Sequence, residues 1–186
     1  IQGLDLKNRI ITEFKAIRFA YKLYEGIEAT NENLLFEVRN QILAYASIYE
    51  AVIENVLNSY YSDTVEFDSL MHHIIPMKIS IPQSKQDILQ NVLSHDGKVI
   101  VPFYYTRKRK EKPQVRFDEK CRTAEGLGLI HKFINDDGVE IDLPSEIIEI
   151  YSYRNGIHII AEQRKGINYE LDLSKKAYRR MRPGVS

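Results

Sequence analysis

Residues 34–60, LLFEVRNQILAYASIYEAVIENVLNSY, carry the most regular pattern in the chain. Leu34, Leu35, Val38, Ile42, Ala46, Tyr49, Ile53, Val56 and Tyr60 recur at steps of three and four, the spacing that lines one face of an α-helix. At 3.6 residues per turn the stretch makes about seven turns. Its other side reads as polar, with Glu37, Arg39, Asn40, Glu54 and Asn58. Thr30 or Asn31 offers a cap for its start. Upstream, Leu6, Ile10, Phe14, Ile17, Tyr21 and Tyr24 keep the same step, which predicts a helix over residues 4–25 stopped at Gly26. Two long helices with a short polar link predict an antiparallel pair, and so an all-α helical bundle.

The pattern breaks after this pair. Residues 62–113 have poor helical periodicity and contain Pro76, Pro82, Pro102 and Pro113. Val99-Ile100-Val101 and Phe103-Tyr104-Tyr105 read as extended, with Pro102 confining any strand to an edge. Residues 84–93 read as one short helix. The segment is expected to be an insertion within a single domain of residues 1–186. Helical signal returns at Phe117 and runs to Gly126 or Gly128, and an apolar pattern continues through residues 129–134. Asn135-Asp136-Asp137-Gly138 predicts a turn. Pro144-Ser145-Glu146 then opens a helix expected over residues 145–163. A last short basic helix is expected, capped by Asp172 or Ser174 and ended by Pro183-Gly184.

The 186 residues, 44% hydrophobic and 28% charged, suffice for a core without covalent staples. Cys121 is the single cysteine, so no internal disulfide can form and a reducing, cytoplasmic setting is expected. No apolar run approaches the roughly 20 residues of a membrane span, and the first residues lack the pattern of a secretory leader. The chain has no initiating Met, which points to a trimmed start. Twenty-six basic residues balance 26 acidic ones, which excludes a uniformly basic coat but not a local one. Arg107-Lys108-Arg109-Lys110 forms one basic block, and Lys175-Lys176, Arg179-Arg180 and Arg182 form a second. The plain reading of both is a solvated face; RNA or another anionic partner is the functional one, and its affinity would fall steeply with salt.

The stretch with chemical potential is Tyr153-Arg154-Asn155-Gly156-Ile157-His158. On a continuous helix Ile147, Tyr151, Arg154, His158 and Ala161 share one face, beside a stripe of Ile150, Tyr153, Ile157 and Ile160. Arg154 and His158 would then sit one turn apart. A neighbouring guanidinium disfavours the imidazolium, so the histidine starts as a neutral base, and it can hold a phosphate through paired hydrogen bonds. Asn155 adds a neutral donor and acceptor. Gly156 costs a helix about 1 kcal/mol against Ala but permits close backbone approach. The plain alternative is a solvated arginine beside an interior histidine.

Three segments together resemble the HEPN superfamily of all-α domains. Residues 36–54, FEVRNQILAYASIYEAVIE, resemble the long second helix of that bundle. Residues 117–130 resemble its third helix with a glycine-rich exit. Residues 147–160 resemble the helix that carries the family's Arg-Asn…His signature, with a shorter gap between Arg154 and His158 than the family usually has. The resemblance covers roughly half of the chain. It implies a metal-independent endoribonuclease of toxin or phage-defence type, without cofactor, working as a homodimer in which two signatures meet. In that reading His158 is the acid or base, Arg154 stabilises the phosphate and Asn155 orients either. Tyr151 and Tyr153, with Arg107, Lys108, Arg109, Lys110, Arg179 and Arg180, would hold the RNA. Other members of the family are inactive scaffolds, so the alternative is a non-catalytic dimerisation module that binds an antitoxin, another protein or RNA.

Other motifs are weaker. His72 and His73 are adjacent and point apart, and with one cysteine and no helical His-x-x-x-His pair a zinc site is not expected. Gly126-Leu127-Gly128 is too short for a nucleotide fingerprint. Cys121 lies in an apolar helical pattern and reads as core. The 12 tyrosines fall mostly on apolar stripes and read as packing.

Overall fold

The structure is a computed structural model and describes residues 4–93, 96–111, 114–156 and 171–181. Helix α1 spans Leu4–Gly26 and α2 Asn31–Tyr60, followed by the short α3 at Val65–Leu70. Strand β1 is His72–Lys78, α4 is Gln83–Val92 and β2 is Phe103–Arg109. Helix α5 is Phe117–Gly126; β3 and β4 are Phe133–Ile134 and Glu140–Ile141; α6 is Leu143–Arg154 and α7 Leu171–Met181. The described chain is therefore mostly helical, with two small antiparallel sheets.

Helix α2 is the axis of the bundle, and α1, α5, α6 and α7 pack around it. Val38, Ile42, Tyr45, Ala46, Tyr49, Ile53 and Leu57 are its buried stripe. Fully burying one such aliphatic side chain is worth about 1.5–3 kcal/mol, so this stripe is the main apolar term in the fold. Phe117, Cys121 and Ala124 of α5 and Ile147 and Ile150 of α6 complete the core from one side. Ala177 of α7, fully buried, completes it from another. The small side chain lets α7 approach closely enough for the Tyr49 hydroxyl to donate to the Ala177 carbonyl at 2.7 Å.

The expected polar side of α2 needs one correction. Glu37 is 4% exposed. Gln41 Nε2 donates to Glu37 Oε1 at 2.7 Å, and the buried Ser174 hydroxyl donates to Gln41 Oε1. Ser174 is thus inside α7 and bonded across to α2, rather than at the start of a helix. Asp172 also lies inside, because α7 begins at Leu171. Thr30 does stand at the start of α2, but its side chain makes no cap bond.

Residues 62–113 hold α3, the β1–β2 ladder and α4. The ladder pairs His72 with Arg109 through to Lys78 with Phe103. Pro76 sits within β1, opposite Tyr105. A two-stranded ribbon has only edges, so a missing N–H costs it nothing on the outer side. Val99, Ile100 and Val101, expected to be extended, form no ladder. Helix α4 buries no residue. It is tied to the adjoining segment by amides instead: Gln86 donates to the Ile100 carbonyl, Gln90 Nε2 to the Lys98 carbonyl at 2.7 Å, and the Ile100 N–H to Gln90 Oε1 at 3.0 Å. The expected turn at residues 135–138 joins β3 to β4. Asn135 Oδ1 accepts from the N–H groups of Asp137 and Val139, and Gly138 supplies the positive φ of 76°.

Candidate functional site around Arg154

Helix α6 begins where Asp142 accepts from the Ser145 N–H at 3.1 Å, with Pro144 in the first turn. It ends at Arg154. Asn155 is the C-terminal cap, and the Gly156 N–H turns back to the Tyr153 carbonyl at 2.9 Å. The expectation of one helix over residues 145–163 is therefore corrected: the helix stops at the residue that begins the signature, at a glycine whose helix propensity is poor. The one-turn spacing of Arg154 and His158 rested on a continuous helix and does not follow. His158 lies outside the described residues, as do Ile157, Ile160 and Ala161.

Arg154 itself is fixed by long-range contacts. Its Nη1 donates to Glu50 Oε2 at 2.5 Å and to the Tyr151 hydroxyl at 3.3 Å. The Tyr151 hydroxyl donates in turn to Glu50 Oε1 at 3.1 Å. The guanidinium carbon lies 5.2 Å from the centre of the Tyr151 ring. Tyr151 also stacks on Phe117, at 4.0 Å between centroids. Burial, reinforced by the Glu50 carboxylate, raises the Tyr151 pKa, so its hydroxyl stays a donor. Glu50, Tyr151 and Arg154 thus form a closed triad at the α2–α5–α6 junction. Glu50 is the member that the sequence does not mark; it lies 104 residues from Arg154.

Tyr153 is tied to Glu149, to which its hydroxyl donates at 3.1 Å. Burial and this carboxylate raise its pKa. Glu149 is held below the usual carboxylate range by Lys176 at 2.6 Å. Ile147 is 3% exposed and belongs to the core.

The expected RNA-holding cations do not lie in one place. Arg107, Lys108 and Arg109 are on β2, Lys110 directly follows it, and Arg179 and Arg180 are on α7. Three of the six are engaged. Arg107 pairs with Asp68, whose carboxyl it holds below the usual range. Lys110 pairs with Glu119 at 2.8 Å, and Arg180 grips Glu146 through two nitrogens. Lys108, Arg109 and Arg179 make no ion pair among the described residues and project into solvent. On the same ribbon Phe103, Tyr104 and Tyr105 are 52%, 52% and 67% exposed. The ribbon therefore joins open aromatic faces to unpaired cations, the two groups that hold single-stranded nucleic acid.

Among the described residues no helix is long and apolar enough to cross a membrane. No family model, no curated protein and no solved structure matches the chain.

Proposed function

We propose that this chain is a HEPN-like, metal-independent endoribonuclease of toxin or phage-defence type, with Arg154, Asn155 and His158 as its working residues. The single observation that carries the reading is the fixing of Arg154. A guanidinium held by Glu50 and Tyr151 through Nη1 has no other hydrogen bond among the described residues, which leaves Nε and Nη2 to meet an incoming phosphate, and a cation that need not reorganise stabilises developing charge best. Asn155 follows at the helix end, with His158 three residues further on. RNA supplies its own nucleophile: the 2′-oxygen bonds to the adjacent phosphorus and the 5′-oxygen leaves. His158 takes the 2′-proton or returns one to the leaving oxygen. In this reading each chain gives the site one signature histidine, His158, so acid and base acting together come from a homodimer. The aromatic and basic ribbon of β2 carries the RNA.

The test is incubation of the purified protein with structured and unstructured RNA, with and without a chelator, alongside His158→Ala and Arg154→Ala. Cleavage by the wild type that survives the chelator and disappears in both variants is expected. Equal cleavage by all three proteins would sink the proposal.

A second reading is a non-catalytic HEPN-like scaffold that binds RNA, an antitoxin or another protein. The Glu50 carboxylate favours it, because it already neutralises the arginine that would meet the phosphate. That reading expects no cleavage by the wild type and unchanged partner binding in His158→Ala.

A further inference from the structure

Helices α1 and α7 carry the same short pattern. Residues 18–22 read Arg-Phe-Ala-Tyr-Lys and residues 175–179 read Lys-Lys-Ala-Tyr-Arg. In each, two cations four residues apart share one helix face, with a tyrosine between them. The two rows line one cleft of about 340 Å³, and Gln41 and Ser174 form its floor. Four cations thus face a common space: Arg18, Lys22, Lys175 and Arg179. Among the described residues two carboxylates pair with them. Glu25 pairs with Lys22 at 2.7 Å and Asp172 with Lys175 at 3.6 Å, both from exposed positions. Arg18 and Arg179 make no ion pair among the described residues. Arg18 lies over the Tyr178 ring, 5.7 Å from its centre, and Tyr178 stacks on Phe14 at 5.9 Å, so the wall is stiff. The floor is polar and already bonded, and Gln41 Nε2 keeps a second N–H beyond the one given to Glu37.

We propose that this cleft binds a small phosphorylated ligand with at least two negative charges. The volume suits a small molecule. Paired cations on two facing helices suit two anionic groups better than one. The tyrosine hydroxyls and the Gln41 amide add neutral donors. The cleft is built from α1, α2 and α7 and shares no residue with the Glu50–Tyr151–Arg154 triad, so its ligand is independent of RNA cleavage.

Titration calorimetry on the full chain tests this with inorganic phosphate, pyrophosphate and a bisphosphorylated sugar. Saturable binding of at least one doubly charged probe is expected, tighter than phosphate, and weakened roughly tenfold or more in Arg18→Ala and Arg179→Ala. Lys108→Ala on the ribbon should leave it unchanged. Circular dichroism of each variant secures the fold. Absence of saturable binding overturns the proposal, as does affinity unchanged in both arginine variants. Displacement of the probe by an RNA oligomer without terminal phosphate, through the same two arginines, also overturns it, since the cleft would then be an RNA groove.

Discussion

Arg154 and Glu50 are 33% and 29% exposed, a depth at which water still screens the pair. Exposed ion pairs contribute about 0–1 kcal/mol and buried ones cost several when broken. A double-mutant cycle on Glu50→Gln and Arg154→Gln, read by urea unfolding, should therefore return a coupling of about 1 kcal/mol. Tyr151→Phe removes two hydrogen bonds, the one given to Glu50 and the one accepted from Arg154, and should cost about 1–3 kcal/mol, with the Phe117 stack intact. Its more telling effect is on function: if RNA is cut, freeing Glu50 and Arg154 should lower kcat more than it raises KM. Cys121 gives a second residue-scale test. Burial pushes its thiol up to about 12 from 9.0, and burial likewise raises Tyr45 and Tyr49 from 10.0. These groups stay protonated in the folded chain while the unfolded chain ionises them. Their contribution is complete below about pH 9 and is lost as pH rises through the folded values. Urea midpoints should thus fall steadily from pH 9 to pH 11, and alkylation of Cys121 at pH 8 should wait for unfolding. At this scale Arg154 was legible because it stands beside a histidine in a short motif. Glu50 was not, because nothing local marks a glutamate that answers a cation far along the chain.

Helices are the best-read elements, and the reason is physical. The stripe of α2, buried, and that of α1, half-buried around the buried Ile17, repeat at the helical step over many turns, so the sequence states both the element and its inner face. Helix α6 was read too long because isoleucines continue past Arg154 in the same phase. Periodicity records which residues want burial, not where the backbone turns, and Gly156 ends the helix despite it. Strand β1 was not legible because residues 72–78 hold Pro76 in place of a clean alternation, yet a two-stranded ribbon tolerates it. Helix α7 offers the element-scale prediction. Ala177 has no room beside α2, so Ala177→Leu should overpack the contact and cost about 1–3 kcal/mol. Circular dichroism and the loss of the Tyr49 bond should register the displaced helix. A variant as stable as the wild type would mean that α7 does not dock as described.

The whole molecule divides its labour between a packed bundle and a ribbon that spends little on the core. Ile74, Ile88, Val92, Val99 and Tyr105 are all more than 60% exposed, and α4 buries nothing. Replacing residues 73–108 by a short Gly-Ser linker should therefore leave the bundle folded, with a melting temperature within a few degrees of the full chain. The same excision should abolish RNA binding if the ribbon is the carrier. Arg109→Ala alone should reduce the salt dependence of that binding by about one phosphate contact. The basic block was legible in the sequence as a run of charge. Which of its members are already paired was not, because Asp68 and Glu119 reach it from other elements.

The contact between Ser174 and Gln41 has a consequence for how α7 finds its place. An apolar stripe accepts a neighbour in several rotations, because one methyl group packs much like another. A hydroxyl and an amide buried together do not. Slide α7 along α2 by one turn, or roll it by one residue, and Gln41 keeps a desolvated oxygen with no donor, at a cost of about 1–3 kcal/mol. The three polar groups Glu37, Gln41 and Ser174 thus act as a key for a single register, much as one buried Asn selects the alignment of a coiled coil. Replacing Gln41 with Leu should leave α7 bound yet free to choose among positions.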